Sequence, residues 1–289
     1  MLIEQGWRTV VIENPAELLL RDGCMIIRGE NEYSVPICQV RNLLIVTELG
    51  QISFPLMSEL TGRDVEVVFC DKKRFPSACT MPLRSHNDCA GRIMDQSAWA
   101  AERKDAVWQG IVVCKIQRQR MLLQRLNLIV PDQLAVYETS VLPGDRTNRE
   151  GAAARVYFGA LFGADFVRGS ADQTNAALNY GYTIICSAMA RILSAYGYHC
   201  AIGIHHHSRS NSLNLACDLM EPFRPAVDEI VYANQGRDLD WAYKRELISV
   251  LQSRWSLDGQ NTELQAAMEQ YALKIFREMD ASAEYGAAQ

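Results

Sequence analysis

The amino-acid sequence predicts an α+β protein, with an amino-terminal β-strand domain over residues 1–76 and a larger all-helical domain over residues 77–289. Three observations carry this prediction. Up to Phe69 the apolar residues fall in short β-branched or aromatic runs separated by turn residues, the mark of strands. From Asp71 to Gly91 the composition shifts to Lys, Arg, Pro, Ser and Asn with no sustained period, which places the domain boundary in that stretch. Beyond it apolar residues recur at helical spacings while Gly and Pro become sparse in the long runs.

Taken in order, WRTVVI, CMIIR, YSVPI, LLIVT and VEVVF are too short to be helices and read as strands. Arg21-Asp22-Gly23-Cys24 has the chemistry of a tight hairpin turn, because Asp-Gly tolerates the positive φ angles that a two-residue loop needs. ISFPLMSELTG predicts one short helix crossing between strands. In the run from Ala98 to Leu126, Trp99, Ala106, Gly110, Val113 and Ile116 recur at spacings of three, four and seven, which predicts a long helix with those residues on its buried face. Further helices are expected over residues 131–141, 148–162, 173–196, 212–234, 239–254 and 262–280, with no internal repeat.

At 289 residues and 48% hydrophobic the chain can build one large domain or two smaller ones. The start, MLIEQGW, carries Glu4 and no basic segment leading into an apolar one, so no secretory signal is expected. No apolar run approaches membrane-spanning length. Nine cysteines without a C-x-x-C pair argue against a disulfide framework or a structural zinc site. A soluble, cytoplasmic protein with reduced thiols and no membrane association is the expectation. The formal charge of -5 argues mildly against nucleic acid, yet residues 101–126 hold six Lys and Arg against two acids. That segment could face a polyanion or be a solvated helix face.

The chemistry gathers between Gly203 and Pro225, a stretch with three of the five histidines and two carboxylates. Asn211 and Ser212 suggest where a helix begins, both being N-cap residues before an apolar run. Asp218 and Glu221, three apart, then share one helical face. Pro222 and Pro225 imply a kink or a new helical start beside the acids. Consecutive histidines diverge, so at most one or two of His205, His206 and His207 can be ligands. The structural alternatives are solvent exposure for the histidines and an ion pair with Arg224 for Glu221. Glu150 opens EGAAARVYF, where Thr147-Asn148-Arg149-Glu150 has the form of a capping box, a purely structural role and the one the residues alone favour. Two acids and an imidazole also suit a hard divalent ion with positions left for water and phosphate.

EGAAARVYF from Glu150, NAALNYGYTII from Asn175, GIHH from Gly203 and NLACDLMEPFRP from Asn214, in that order, resemble the CRISPR-associated spacer-acquisition integrases, of type II systems in particular. NLLIVTELGQISFPLMSELTGRDVEVVFCD extends the resemblance over nearly the whole chain. The resemblance implies an enzyme of CRISPR adaptation and antiviral defence. Its activity would be divalent-metal-dependent DNA endonuclease and integrase, in which a DNA 3′ hydroxyl attacks a phosphodiester. It places the catalytic and metal-binding residues at Glu150, His206 and Glu221, with Mg2+ or Mn2+ as cofactor and Asp218 in support. His206 is chosen because the family's ligand stands three residues after the glycine, here Gly203. The implied partners are double-stranded DNA, a second copy of the chain paired through the β domains, and CRISPR-associated protein two. An unrelated metal-dependent nuclease and a catalytically silent DNA-binding assembly subunit remain the alternatives.

Overall fold

The computed structural model describes residues 8–63, 65–72, 74, 76–80, 88–257 and 259–280. The amino-terminal heptapeptide and the end of the acidic 258–289 stretch lie outside them. The chain divides into two compact units, Met1–Asn87 and Asp88–Gln289, and the dividing point lies within the stretch read as a boundary. Strand Pro76–Cys79 belongs to the first unit's sheet, so the β region runs past residue 76.

Among the described residues the first unit holds two four-stranded sheets. One runs in the order β1 (Arg8–Ile12), β5 (Val40–Ile45), β7 (Glu66–Cys70), β8 (Pro76–Cys79), parallel through β7 and antiparallel at β8. The other runs β4 (Glu32–Pro36), β3 (Cys24–Arg28), β2 (Ala16–Arg21), β6 (Gly50–Ile52). Arg21 pairs with Cys24 across the expected turn, with Asp22 at φ 50° and Gly23 at φ 72°. Helix α1 (Phe54–Gly62), begun by Ser53 accepting from the Leu56 amide, connects β6 to β7 as the sequence indicated. Leu18, Met25, Leu43, Leu56, Leu60 and Val67 are at most 2% exposed and form this unit's core. Strand β2 had escaped the sequence reading because AELLL lacks β-branched residues; its place comes from pairing with β3 and β6.

The second unit is built on two long helices, α3 (Ala101–Arg125) and α6 (Gln173–Ala195), preceded by α2 (Cys89–Ser97). Around them lie α4 (Asp132–Thr139), α5 (Arg149–Phe162), α7 (Asn214–Leu219), α8 (Arg224–Ala233), α9 (Trp241–Ile248) and α10 (Leu264–Asp280). Helix α3 packs against α4, α5, α8 and α10, and α6 against α7, α8, α9 and α10. The unit is not all-helical. Residues Arg254–Leu257 and Gln260–Glu263 form an antiparallel hairpin, β9 and β10, so the helix expected over 239–254 stops at Ile248 and continues only as a 3-10 turn. The hairpin buries Trp255, whose ring packs 5.7 Å from Phe223.

The buried face of α3 also differs from expectation. Ala106 and Gly110 are exposed and Val113 half-buried, whereas Trp108, Ile111, Val112, Lys115, Ile116 and Gln119 point inward. A purely apolar period misses this face because two of its members are polar.

Candidate active site

Glu150, in the first turn of α5, is presented by a different cap from the one the sequence suggested. The N-cap is Asn148, in left-handed geometry at φ 51°, and its Oδ1 accepts from the Gly151 amide at 3.1 Å. A Cβ on Gly151 would stand 2.7 Å from that oxygen, so glycine lets the cap close. Buried Asp145 accepts from the amides of Arg149 and Glu150 at 2.8 and 2.9 Å. Two side chains thus satisfy the free N–H groups of this helix end. Glu150 makes no capping-box bond to Thr147; its Oε1 meets the Lys115 ammonium at 2.6 Å.

Glu221 begins the 3-10 turn Glu221–Phe223, where the chain breaks between α7 and α8 at Pro222, as the two prolines required. The expected start at Asn211 or Ser212 is displaced to Asn214; the Asn211 side chain instead accepts from the Leu213 amide just ahead of α7. Glu221 is 3% exposed and takes a forked bond from Arg224, Nη2 to Oε1 at 2.8 Å and Nε to Oε2 at 2.8 Å. The Lys115 ammonium stands 2.5 Å from the same Oε2. Burial alone would push the Glu221 carboxyl up, but the charges of Arg224 and Lys115 more than offset it and hold it down at about 2. Burial likewise works against the Lys115 ammonium, and Glu221 and Glu150 outweigh it, raising its pKa. The ion pair with Arg224 that the sequence offered as a structural alternative is present, and Lys115 adds a second.

Arg224 is itself fixed. Its guanidinium lies 4.3 Å from the centroid of the Tyr182 ring, and Tyr182 and Tyr157 donate to the two oxygens of Asp228 at 2.5 and 2.8 Å. Asp228 is pushed up to about 6 by burial, against the opposing pull of those hydroxyls.

The histidine run is ordered by Asp218, which is wholly buried on α7. Its Oδ2 accepts from the amides of Ile204 and His205 at 2.7 and 3.1 Å, and its Oδ1 from the His206 amide at 3.0 Å. The same Oδ1 holds the His206 ring at Nδ1, 2.6 Å away. A Cβ on Gly203 would fall 2.1 Å from the His206 carbonyl oxygen, so this loop closes only around glycine. The bond to Asp218 raises the pKa of His206 against the lowering by burial, and the charge of Glu221 adds to it. Among the described residues Nε2 of His206 has no partner, and a carboxylate behind Nδ1 is the arrangement that fixes an imidazole for metal binding through the other nitrogen. His205 is committed elsewhere, stacked on Trp108 at 4.3 Å and 2°. His207 bonds the His205 carbonyl oxygen through Nδ1 at 2.8 Å.

The donor set of Glu150, Glu221 and an Asp218-backed His206 fits a hard divalent cation by its chemistry. Among the described residues no three His, Cys, Asp or Glu side chains converge as a ligand cluster; the Lys115 ammonium occupies the space between the two glutamates. Sequence reasoning missed Lys115 and Trp108. It also missed Gln96 on α2, a fully buried amide that bonds the backbone of His199 and Ile202 on the way to the histidine loop.

The sequence profile of the family described as CRISPR associated protein Cas1 matches residues 9–239. The chain belongs to this family. Over 270 residues it is 32% identical to the CRISPR-associated endonuclease Cas1 of Neisseria meningitidis serogroup C (strain 8013), an alignment spanning 91% of this chain and 89% of that one. Among solved structures it resembles a casposase bound to integration product, with TM-score 0.76 and 18% identity over 96% of this chain and 91% of the other. It also resembles a chain of a Cas6-RT-Cas1–Cas2 complex, with TM-score 0.69 and 19% identity over 96% of this chain and 35% of the other. At these identities the structural likeness is one of fold. Among the described residues, no helix of this Cas1 protein is long and apolar enough to cross a membrane.

Proposed function

We propose that this Cas1 protein is a divalent-metal-dependent DNA integrase and endonuclease that inserts new spacer DNA into a CRISPR array, joining a DNA 3′ hydroxyl to a phosphodiester at a repeat boundary. The observation that carries the reading is the Asp218–His206 pair, ring nitrogen fixed and Nε2 open, within the electrostatic reach of buried Glu221. Family membership and the casposase-like fold support the same reaction class.

In this reading Glu150, His206 and Glu221 hold Mg2+ or Mn2+, which when bound supplies Lewis-acid stabilisation of charge developing on phosphodiester oxygens. Asp218 fixes the tautomer and direction of the His206 ring. Arg224 orients Glu221 and keeps it ionised, while the Tyr182 ring, its hydroxyl held by Asp228, backs the guanidinium. Asn148 and Asp145 secure the helix end that presents Glu150. The protein acts on double-stranded DNA as a homodimer with CRISPR-associated protein two, a partnership supported by the fold shared with the Cas1–Cas2 complex. The basic face of α3 contributes less to DNA binding than its composition suggests, because Lys115, Arg120 and Arg125 are paired with Glu150 and Glu221, Glu138, and Glu229.

The test is incubation of the protein, with and without its partner, with 3′-hydroxyl DNA fragments and a plasmid carrying a CRISPR repeat, in Mg2+, Mn2+ or chelator. Joined product that requires metal, Glu150 and His206 is the expected result. Cutting without joining would favour the plain nuclease, and metal-indifferent DNA binding without chemistry would favour the silent assembly subunit.

A further inference from the structure

Lys115 is the least expected member of the site. It projects from the middle of α3, only 6% exposed, and its ammonium bridges acids brought in by two other elements, Glu150 at 2.6 Å and Glu221 at 2.5 Å. Burying a lysine is costly unless it is paired, and here both partners are the acids assigned to the metal.

We propose that Lys115 is an internal placeholder for the divalent cation: its ammonium clamps Glu150 and Glu221 together in the metal-free protein and must withdraw before those oxygens can ligate an ion. The inference rests on the metal reading of Glu150, His206 and Glu221 given above.

Three features of the geometry lead to it. The first is charge balance. Lys115 and Arg224 match Glu150 and Glu221 one for one, so an ion entering beside an unmoved ammonium would add two positive charges to a set of four that is already balanced. Withdrawal of the ammonium lowers that excess. The second is occupancy of the donors. Glu221 Oε1 carries the Arg224 Nη2 bond, and Oε2 carries both the Nε bond and the ammonium, so removing Lys115 is the change that opens lone-pair space facing Glu150. The third is the contrast between the two cations. Arg224 is a planar fork seated on the Tyr182 ring, whereas Lys115 is a point charge on a flexible stem whose ion pairs among the described residues are with Glu150 and Glu221 themselves. The fork is built to stay and the ammonium to move. Lys115 therefore keeps two close acids from repelling each other when no metal is present, and it sets the metal concentration at which the site fills.

The experiment is Mn2+ binding to the full chain, followed by the electron paramagnetic resonance signal of free Mn2+, with thermal melting in the presence and absence of Mn2+. Wild type, Lys115→Met, Lys115→Gln and Glu150→Gln are compared. Glu150→Gln is expected to lose the site, which establishes that the ion is held where the metal reading puts it. Lys115→Met is expected to melt lower than wild type without metal, to gain more from Mn2+, and to bind it about tenfold or more tightly. A competing unit charge a few ångströms from a dication is felt strongly even at an effective dielectric near 20. Lys115→Gln keeps a polar group of similar reach and should show the same tightening should the methionine variant fold poorly. If wild type binds Mn2+ through Glu150 and both lysine variants bind equally or more weakly, the placeholder is wrong and Lys115 is a fixed support. If Glu150→Gln leaves Mn2+ binding unchanged, the metal reading fails and the placeholder fails with it.

Discussion

Replacing Asp218 by asparagine tests how the histidine loop is held, because the change keeps shape and removes one acceptor. The carboxylate receives donors in two pairs: the Ile204 and His205 amides on Oδ2, and the His206 amide and ring Nδ1 on Oδ1. An asparagine can serve only one pair with its oxygen. If its NH2 faces Ile204 and His205, one buried and one part-buried backbone donor are orphaned, at about 1–3 kcal/mol for a buried one. If it faces His206, one backbone donor is orphaned and the ring can adapt by moving its proton to Nε2 and accepting at Nδ1. The second arrangement is cheaper. Asp218→Asn should therefore fold, lose about 1–3 kcal/mol, and carry His206 in the wrong tautomer with Nε2 blocked. At roughly 2–4 °C per kcal/mol for a chain of this size class, melting should fall by several degrees. Activity should fall much further than stability accounts for.

The assay combines thermal melting with nitrogen-15 NMR of the His206 ring, which distinguishes the two tautomers, and with Mn2+ binding. In the wild type at a pH above the raised pKa of His206, Nδ1 should carry the proton and Nε2 be free; in the variant the assignment should reverse and Mn2+ binding weaken. A variant that melts lower yet keeps Nε2 unprotonated and binds Mn2+ normally would refute the argument. Asp218 would then organise only the loop backbone.

Other outcomes follow from the same geometry. Glu150→Gln should keep its helix end capped, since Asn148 and Asp145 do the capping, but should melt lower because buried Lys115 is left with Glu221 as its remaining acid, while DNA joining and cutting drop by orders of magnitude; Asn148→Ala should lose roughly 1 kcal/mol of stability with most activity kept. His206→Ala should abolish metal-dependent joining, whereas His205→Ala, which loses the stack on Trp108, should retain a substantial part, and an inactive His205→Ala beside an active His206→Ala would transfer the ligand role to His205. For Asp228, pushed up to about 6 from an ordinary 3.8, the folded value exceeds the unfolded one, so its contribution is full below about pH 4 and is lost as pH rises through 6. Denaturant midpoints of wild type relative to Asp228→Asn should therefore be higher at pH 4.5 than at pH 7.5, and an unchanged difference would mean the two tyrosine hydroxyls keep the carboxylate fully ionised throughout.

Most of the fold was legible because its signals are local. The Asp22-Gly23 turn, the helix begun at Ser53 and the break at Pro222 each depend on a few adjacent residues with one strong conformational preference. Strands β2, β6 and β8 were harder, since their sequences are undistinguished and only pairing with neighbours makes them strands. The hairpin Arg254–Glu263 was hidden in a helical context for the same reason. At Glu150 a local signal misled: Thr147 to Glu150 has the residue pattern of a capping box, but Asn148 in left-handed geometry takes the cap and leaves the glutamate for Lys115.

Lys115 itself left a trace in the sequence that an apolar period could not register. The inward positions of α3 run Trp108, Ile111, Val112, Lys115, Ile116, Gln119, Leu122, a helical spacing in which the lysine stands at a core position. Setting the period by Ala106, Gly110 and Val113 places the predicted face nearly half a turn away and turns the lysine outward. Once the phase is fixed by the two large side chains, Trp108 and Ile111, the lysine has to be buried. Buried, it must be paired, and pairing with one acid leaves the cost of the burial only partly offset. A second acid from elsewhere in the chain is then required, and in this protein the two acids that meet the requirement are Glu150 and Glu221. A lysine on the core face of a long helix therefore signals a convergent acidic site before any histidine or carboxylate motif is consulted.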